Sequence, residues 1–223
     1  MDDNFSRKLY DTYLDRLDGM KRLLTIGDLD LLDDHRDSLD NALDDLQNLN
    51  LRFFDLSYDR INKAVEKTRQ WYPEILAQPF NFSIKDSIET DGEKRSWAKN
   101  DAELKEFWYS YLKYETLTRL ADKIKEQETQ TEAEGGKKTV AELEEEARED
   151  VKEVFNDWFE RLDKARRSDR FEMFLNSLTN VFDPHSDYFN PKEKEDFDIN
   201  MSGRLEGIGA RLQMDGDFTK VVM

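Results

Sequence analysis

The 223-residue chain contains no cysteine, which removes disulfides, thiolate zinc sites and cysteine nucleophiles together. Histidine is almost as scarce: His35 and His185 are the only two, and they stand far apart, so an imidazole-rich metal centre is not expected. No stretch approaches the roughly 18 apolar residues of a membrane span. Met1 is followed by Asp2-Asp3-Asn4 rather than by a basic and then an apolar segment, so no export signal is expected within this sequence. Basic charge is in the minority, with 34 Lys and Arg against 51 Asp and Glu and a net charge of -17. A phosphate backbone or an anionic membrane surface would be repelled, and nucleic acid is not expected as a partner. Acidity reads first as solubility rather than as a basic partner's footprint. Apolar material is plentiful, since 37% hydrophobic and 12% aromatic residues supply a core for one large domain or two small ones.

Helical periodicity dominates the chain. Phe5, Leu9, Tyr13, Leu17, Met20 and Leu24 fall on one helical face and predict a helix from Asp3 to Thr25, with Gly27 as its stop and Asp28 as the next cap. Leu32, Leu39, Leu43 and Leu46 predict a second helix, and Phe54, Tyr58, Ile61, Val65 and Tyr72 a third, ended or kinked near Trp71 by Pro73. Between Pro79 and Trp97 the spacing becomes irregular, with a turn at Asp91-Gly92. Asn100 and Glu103 form a capping-box pair ahead of an aromatic face: Leu104, Phe107, Trp108, Tyr111, Tyr114 and Leu117. That stripe reads as core. Lys125 to Lys138 is polar and carries two glycines, which predicts a mobile linker.

Thr139 and Glu142 repeat the capping-box spacing before Leu143, Ala147, Val151, Val154, Trp158 and Leu162, a helix expected to reach about Arg166. Ser168 is the expected cap of another, burying Phe171, Phe174, Leu175, Leu178 and Phe182. Asp183-Pro184 ends it, and Asn190-Pro191 opens a short one. Ile208, Ala210, Leu212 and Met214 then alternate with Gly209, Arg211 and Gln213, and Asp215-Gly216 supplies a hairpin turn. The expected fold class is mainly all-α: a multi-helix domain over residues 1–200, then the first strands of a second domain over 201–223.

Candidate chemistry is sparse. Asp183-Pro184-His185-Ser186-Asp187-Tyr188 gathers a histidine, a serine and two carboxylates, but triad members must meet at hydrogen-bond distance, which residues so close in sequence rarely do. Alternate Asp183, His185 and Asp187 share a face if extended, a weak metal pattern. The reading that fits best is a tight loop whose Asp and Ser side chains bond backbone amides. Acidic runs such as Asp33-Asp34, Asp44-Asp45 and Glu144-Glu145-Glu146 read as solvated helix faces, not as a glycosidase pair. Gly207-Ile208-Gly209 lacks the Lys-Ser or Lys-Thr of a phosphate loop.

Two late segments carry a resemblance. Phe182-Asp-Pro-His-Ser-Asp-Tyr-Phe-Asn-Pro191 and Met201-Ser-Gly-Arg-Leu-Glu-Gly-Ile-Gly-Ala-Arg-Leu-Gln-Met214 resemble the tail-specific, or carboxy-terminal processing, serine protease family. There a DPH-T/S-x-Y segment closes a helical domain and an EGIGA segment opens a PDZ domain. Asp2-Asp-Asn-Phe-Ser6 and Asn100-Asp-Ala-Glu-Leu104 also look like that helical domain. The resemblance implies a periplasmic or cell-envelope endopeptidase with a serine nucleophile and a lysine base, both downstream of the PDZ domain. No residue of this sequence is therefore assigned as catalytic, and no cofactor or metal is implied. Implied partners are protein substrates with free apolar C-termini and an adaptor lipoprotein docked on the helical part. Leu205, Gly207, Ile208, Gly209 and Ala210 are the expected substrate-binding residues. Two glycines flanking an isoleucine permit the backbone angles of an amide nest that holds a carboxylate. The competing class is a free-standing acidic helical adaptor, which the helices alone fit as well.

Overall fold

The computed structural model describes residues 2–44, 51–129, 137–203, 210–215 and 218–222. Among these, eight helices precede one antiparallel hairpin: α1 (Asp3–Asp18), α2 (Ile26–Asp33), α3 (Leu39–Asp44), α4 (Arg52–Leu76), α5 (Asp101–Thr129), α6 (Val140–Lys164), α7 (Arg167–Phe182), α8 (Pro191–Ser202), β1 (Arg211–Asp215) and β2 (Phe218–Val222). The mainly all-α class is what the periodicity predicts. The chain divides into two compact units, Met1–Ser186 and Asp187–Met223.

In the first unit α4, α5 and α6 pack together, and α1 lies against α7 and α3. The core is aromatic. Trp108 sits edge-on to Phe155 at 5.4 Å and stacks near Phe159 at 6.0 Å, while Tyr72 stacks on Phe159 at 4.9 Å. A second aromatic group joins Tyr13, Phe53, Phe54 and Phe174 across α1, α4 and α7. Tilted and edge-on contacts of this kind add to plain burial, because each ring edge meets a neighbour's electron-rich face.

Several expected boundaries move, each for a local reason. The first helix stops at Asp18 rather than Thr25, because the Asp18 carboxylate captures the amides of the following loop. Met20 is consequently exposed while Leu24 is still buried, from a loop. Thr25, not Asp28, caps α2; Asp28 occupies the third position of a capping box, so Gly27 lies inside the helix. The expected second helix is two helices, α2 and α3, separated by turns over 34–38. Leu46 lies outside the described residues. Pro73 does not end α4, which runs on to Leu76; its fixed φ is compatible with a helix, and the Pro73 carbonyl still accepts from the Ala77 amide at 3.0 Å.

The aromatic stripe of α5 is rotated from expectation. Leu104, Trp108, Tyr111, Leu112 and Leu120 are buried, Phe107 is partly so, and Tyr114 and Leu117 face out. On α6 the buried set is Leu143, Ala147, Val151, Phe155 and Phe159, with Val154 exposed. Helix α5 continues through Lys125 to Thr129, so the expected linker begins later than its composition implies. Its residues 130–136 lie outside the described residues. Arg166, not Ser168, precedes α7, with Asp169 closing back on the Arg166 amide. Phe182 is exposed, although its ring meets Phe5 at 4.8 Å.

The second unit buries little. Asn190 caps α8 by accepting from the amides of Lys192 and Glu193, and Gly203 at φ 64 closes it in the left-handed region that favours glycine. No side chain of α8 is buried. In the hairpin Arg211 pairs with Val222 and Asp215 with Phe218, so Asp215, expected in the turn, is the last residue of β1, and Gly216 lies outside the described residues.

Candidate functional site

The loop at 183–186 uses its polar groups on itself. Asp183 caps α7, its amide donating to the Thr179 carbonyl at 3.0 Å. Its carboxylate accepts from the His185 amide at 3.1 Å and the Ser186 hydroxyl at 2.9 Å. Asn180 ties the loop to α7 by donating to the Ser186 carbonyl at 2.7 Å. The serine hydroxyl thus points at a carboxylate rather than at an imidazole, which is the geometry of a turn and not of a nucleophile with its base. Among the described residues no group of three or more His, Asp or Glu side chains is placed to hold a metal ion. His35 is half-buried, edge-on to Phe53 at 6.1 Å.

Of the expected substrate-binding residues, Leu205, Gly207, Ile208 and Gly209 lie outside the described residues. Ala210 is exposed and immediately precedes β1. Leu212 and Val221 are cross-strand partners and both are exposed.

The most organised polar site in the first unit is one that periodicity misses. Asp18, almost wholly buried at the end of α1, accepts three amides, from Arg22 (2.9 Å), Leu23 (2.9 Å) and Leu24 (2.8 Å). Burial pushes its carboxyl up to about 6, against the opposing pull of those amides and of the Arg95 charge. The loop's tight path puts Lys21 at φ 52, a left-handed backbone that costs a non-glycine residue roughly 1 kcal/mol. Arg95 donates to the carbonyls of Met20 (2.7 Å) and Lys21 (3.2 Å), and Lys21 donates back to the Arg95 carbonyl. Trp108 donates its indole N–H to the Arg22 carbonyl at 2.8 Å. A Cβ on Gly92 would fall 2.2 Å from the Gly19 carbonyl oxygen, so the two backbones meet only because Gly92 has no side chain. The loop after α1, the connector between α4 and α5 (residues 77–100) and α5 are thereby clasped together.

A second buried ionic site contradicts the reading of 144–146 as a solvated face. Glu144 is 6% exposed and accepts from Arg148 at 2.9 Å and from the Phe80 amide at 3.1 Å. Arg148 in turn donates to the Leu76 carbonyl at 2.7 Å. The pair caps the C-terminus of α4 and anchors the connector where it leaves that helix. Both ionic sites position backbone, and neither presents a reacting group to solvent.

Residues 1–192 match the family described as the tail specific protease N-terminal domain. The chain belongs to that family. A tail-specific protease of Haemophilus influenzae is 25% identical over 220 residues, which cover 97% of this chain and 28% of the relative. The chain thus spans just over a quarter of that tail-specific protease's length. Both the Asp18 clasp and the 183–186 loop fall inside the region that matches the family.

Proposed function

We propose that this chain is the non-catalytic helical region of a carboxy-terminal processing serine endopeptidase, which recognises proteins by their C-termini and degrades or processes them. The match to the tail-specific protease N-terminal domain over residues 1–192 carries this reading. In it the helical unit is scaffold and docking surface, for substrates with free apolar C-termini and for an adaptor lipoprotein. The peptidase groups, a serine and its lysine base, belong to other parts of such a protein, which works in the periplasm or cell envelope of a bacterium. Residues 201–223 begin a PDZ domain, with Gly207, Gly209 and Ala210 lending amides to a substrate carboxylate and Leu205 and Ile208 holding its last side chain. The alternative, a free-standing acidic adaptor, leaves the EGIGA segment and the apolar hairpin without a purpose.

The purified chain is tested on a peptide with an apolar carboxyl terminus. No inhibitor-sensitive cleavage is expected, because the histidine, serine and carboxylate gathered at 183–186 are tied up as a turn. Sustained, inhibitor-sensitive hydrolysis would overturn the non-catalytic assignment.

A further inference from the structure

A cleft of about 270 Å³ opens on the first unit between the connector and α5. The connector supplies Asp86, Ser87 and Ile88; Ser110, Lys113 and Leu117 come from one face of the helix, at steps of three and four. The space lies just below the range typical of drug-sized ligands, so it suits a fragment of a few carbons rather than a docked helix or strand.

Its ion pair is lopsided. The Lys113 side chain is 7% exposed and its partner Asp86, at 2.8 Å, is 50% exposed. Among the described residues Asp86 is the only hydrogen-bond partner of this ammonium, which carries three N–H donors. A buried ammonium needs an anion beside it, whereas a carboxylate half in water loses little by swinging fully into it. The site is therefore already shaped to hold a carboxylate on Lys113, and the group now holding it is replaceable. Around this position lie two hydroxyls, from Ser87 and Ser110, and the apolar surfaces of Ile88, Tyr114 and Leu117. Tyr114 and Leu117 are the two members of the expected core stripe that the fold turns outward. With a chain charge of -17, a multiply charged anion would be disfavoured at this surface more than a single carboxylate.

We propose that this cleft binds a small ligand carrying one carboxylate on a short apolar chain, the carboxylate displacing Asp86 from Lys113 and the chain lying against Ile88, Tyr114 and Leu117. Either a peptide C-terminus or a free carboxylic acid presents that chemistry. The peptide source deepens the docking role proposed above, whereas the site itself is argued from the cleft and its ion pair and stands without that role.

The test titrates the ¹⁵N-labelled chain with N-acetyl-leucine, N-acetyl-leucinamide and 4-methylpentanoate, following the amides of Ile88, Ser110 and Leu117. Both acids are expected to shift these amides, and the leucinamide to bind about tenfold more weakly, as the loss of a charge-assisted hydrogen bond implies. Asp86→Ala leaves Lys113 in place and removes its internal competitor, so it should tighten the acids by up to about fivefold. Lys113→Met should abolish the preference for acid over amide. Tighter binding of N-acetyl-leucine than of 4-methylpentanoate identifies a peptide terminus; equal binding identifies a free acid. Equal affinity for acid and amide, weaker acid binding by Asp86→Ala, or no shift with either acid at about 20 mM would each overturn the proposal.

Discussion

The two units of the chain handle apolar residues in opposite ways. In the first, Trp108, Phe159, Phe54 and Tyr13 are fully enclosed. In the second, Phe197, Met201, Leu212, Phe218 and Val221 are exposed, and α8 buries nothing. There Phe189 stacks on Phe197 at 5.4 Å. The difference shows that amphipathic spacing yields stability only where a second face exists to receive it. A two-stranded hairpin has no such face and is marginal in water, whereas the stripe of α5 meets both α4 and α6.

The sharpest way to break the contrast is Trp108→Ala. It empties the centre of the α5–α6 contact and leaves the Arg22 carbonyl without its indole donor. A loss of roughly 3 to 5 kcal/mol is expected, read as a lower urea midpoint at unchanged slope. An unchanged midpoint would mean that α5 does not depend on this ring.

The next effect is electrostatic. The folded-state pKa of Asp18 is raised to about 6, above its unfolded value of about 4. Between these values the folded chain binds a proton that the unfolded chain does not, so this group's contribution to stability grows as pH falls from 6 to 4 and is lost as pH rises. Over that window the wild-type chain should gain up to about 2 to 3 kcal/mol relative to Asp18→Asn. Urea unfolding of both chains at pH 7 and pH 4.5 measures it, and parallel pH profiles would remove Asp18 as the titrating group. The smallest effect belongs to the second unit. Phe218→Ser removes a side chain that is 79% exposed, and the main unfolding transition should move by less than about 0.5 kcal/mol.

Much of the helical layout was legible because it rests on period and caps: Thr139–Glu142 and Asn190 sit where the sequence placed them. The rest hung on long-range pairing. Nothing near Asp18 in sequence announces that its carboxylate will gather three amides, and Arg95 approaches it from a distant part of the chain. Glu144 looks like its two acidic neighbours until Arg148 and the Phe80 amide are seen beside it. The rotation of the α5 stripe, with Leu112 and Leu120 inside and Tyr114 and Leu117 outside, depends on which flank α6 covers, which a single helix cannot reveal. Of the expected carboxylate-binding segment only Ala210 falls among the described residues; the nest reading rests on glycine spacing and family resemblance.

Native-state hydrogen exchange on the intact chain tests most directly whether cohesion resides in the helical unit. The account predicts that amides of Trp108, Leu112, Val151 and Phe155, all within buried helix faces, exchange only through global unfolding, while those of Leu212 and Val221 in the exposed hairpin exchange with little protection. Protection of the hairpin amides equal to that of the α5–α6 core would contradict it.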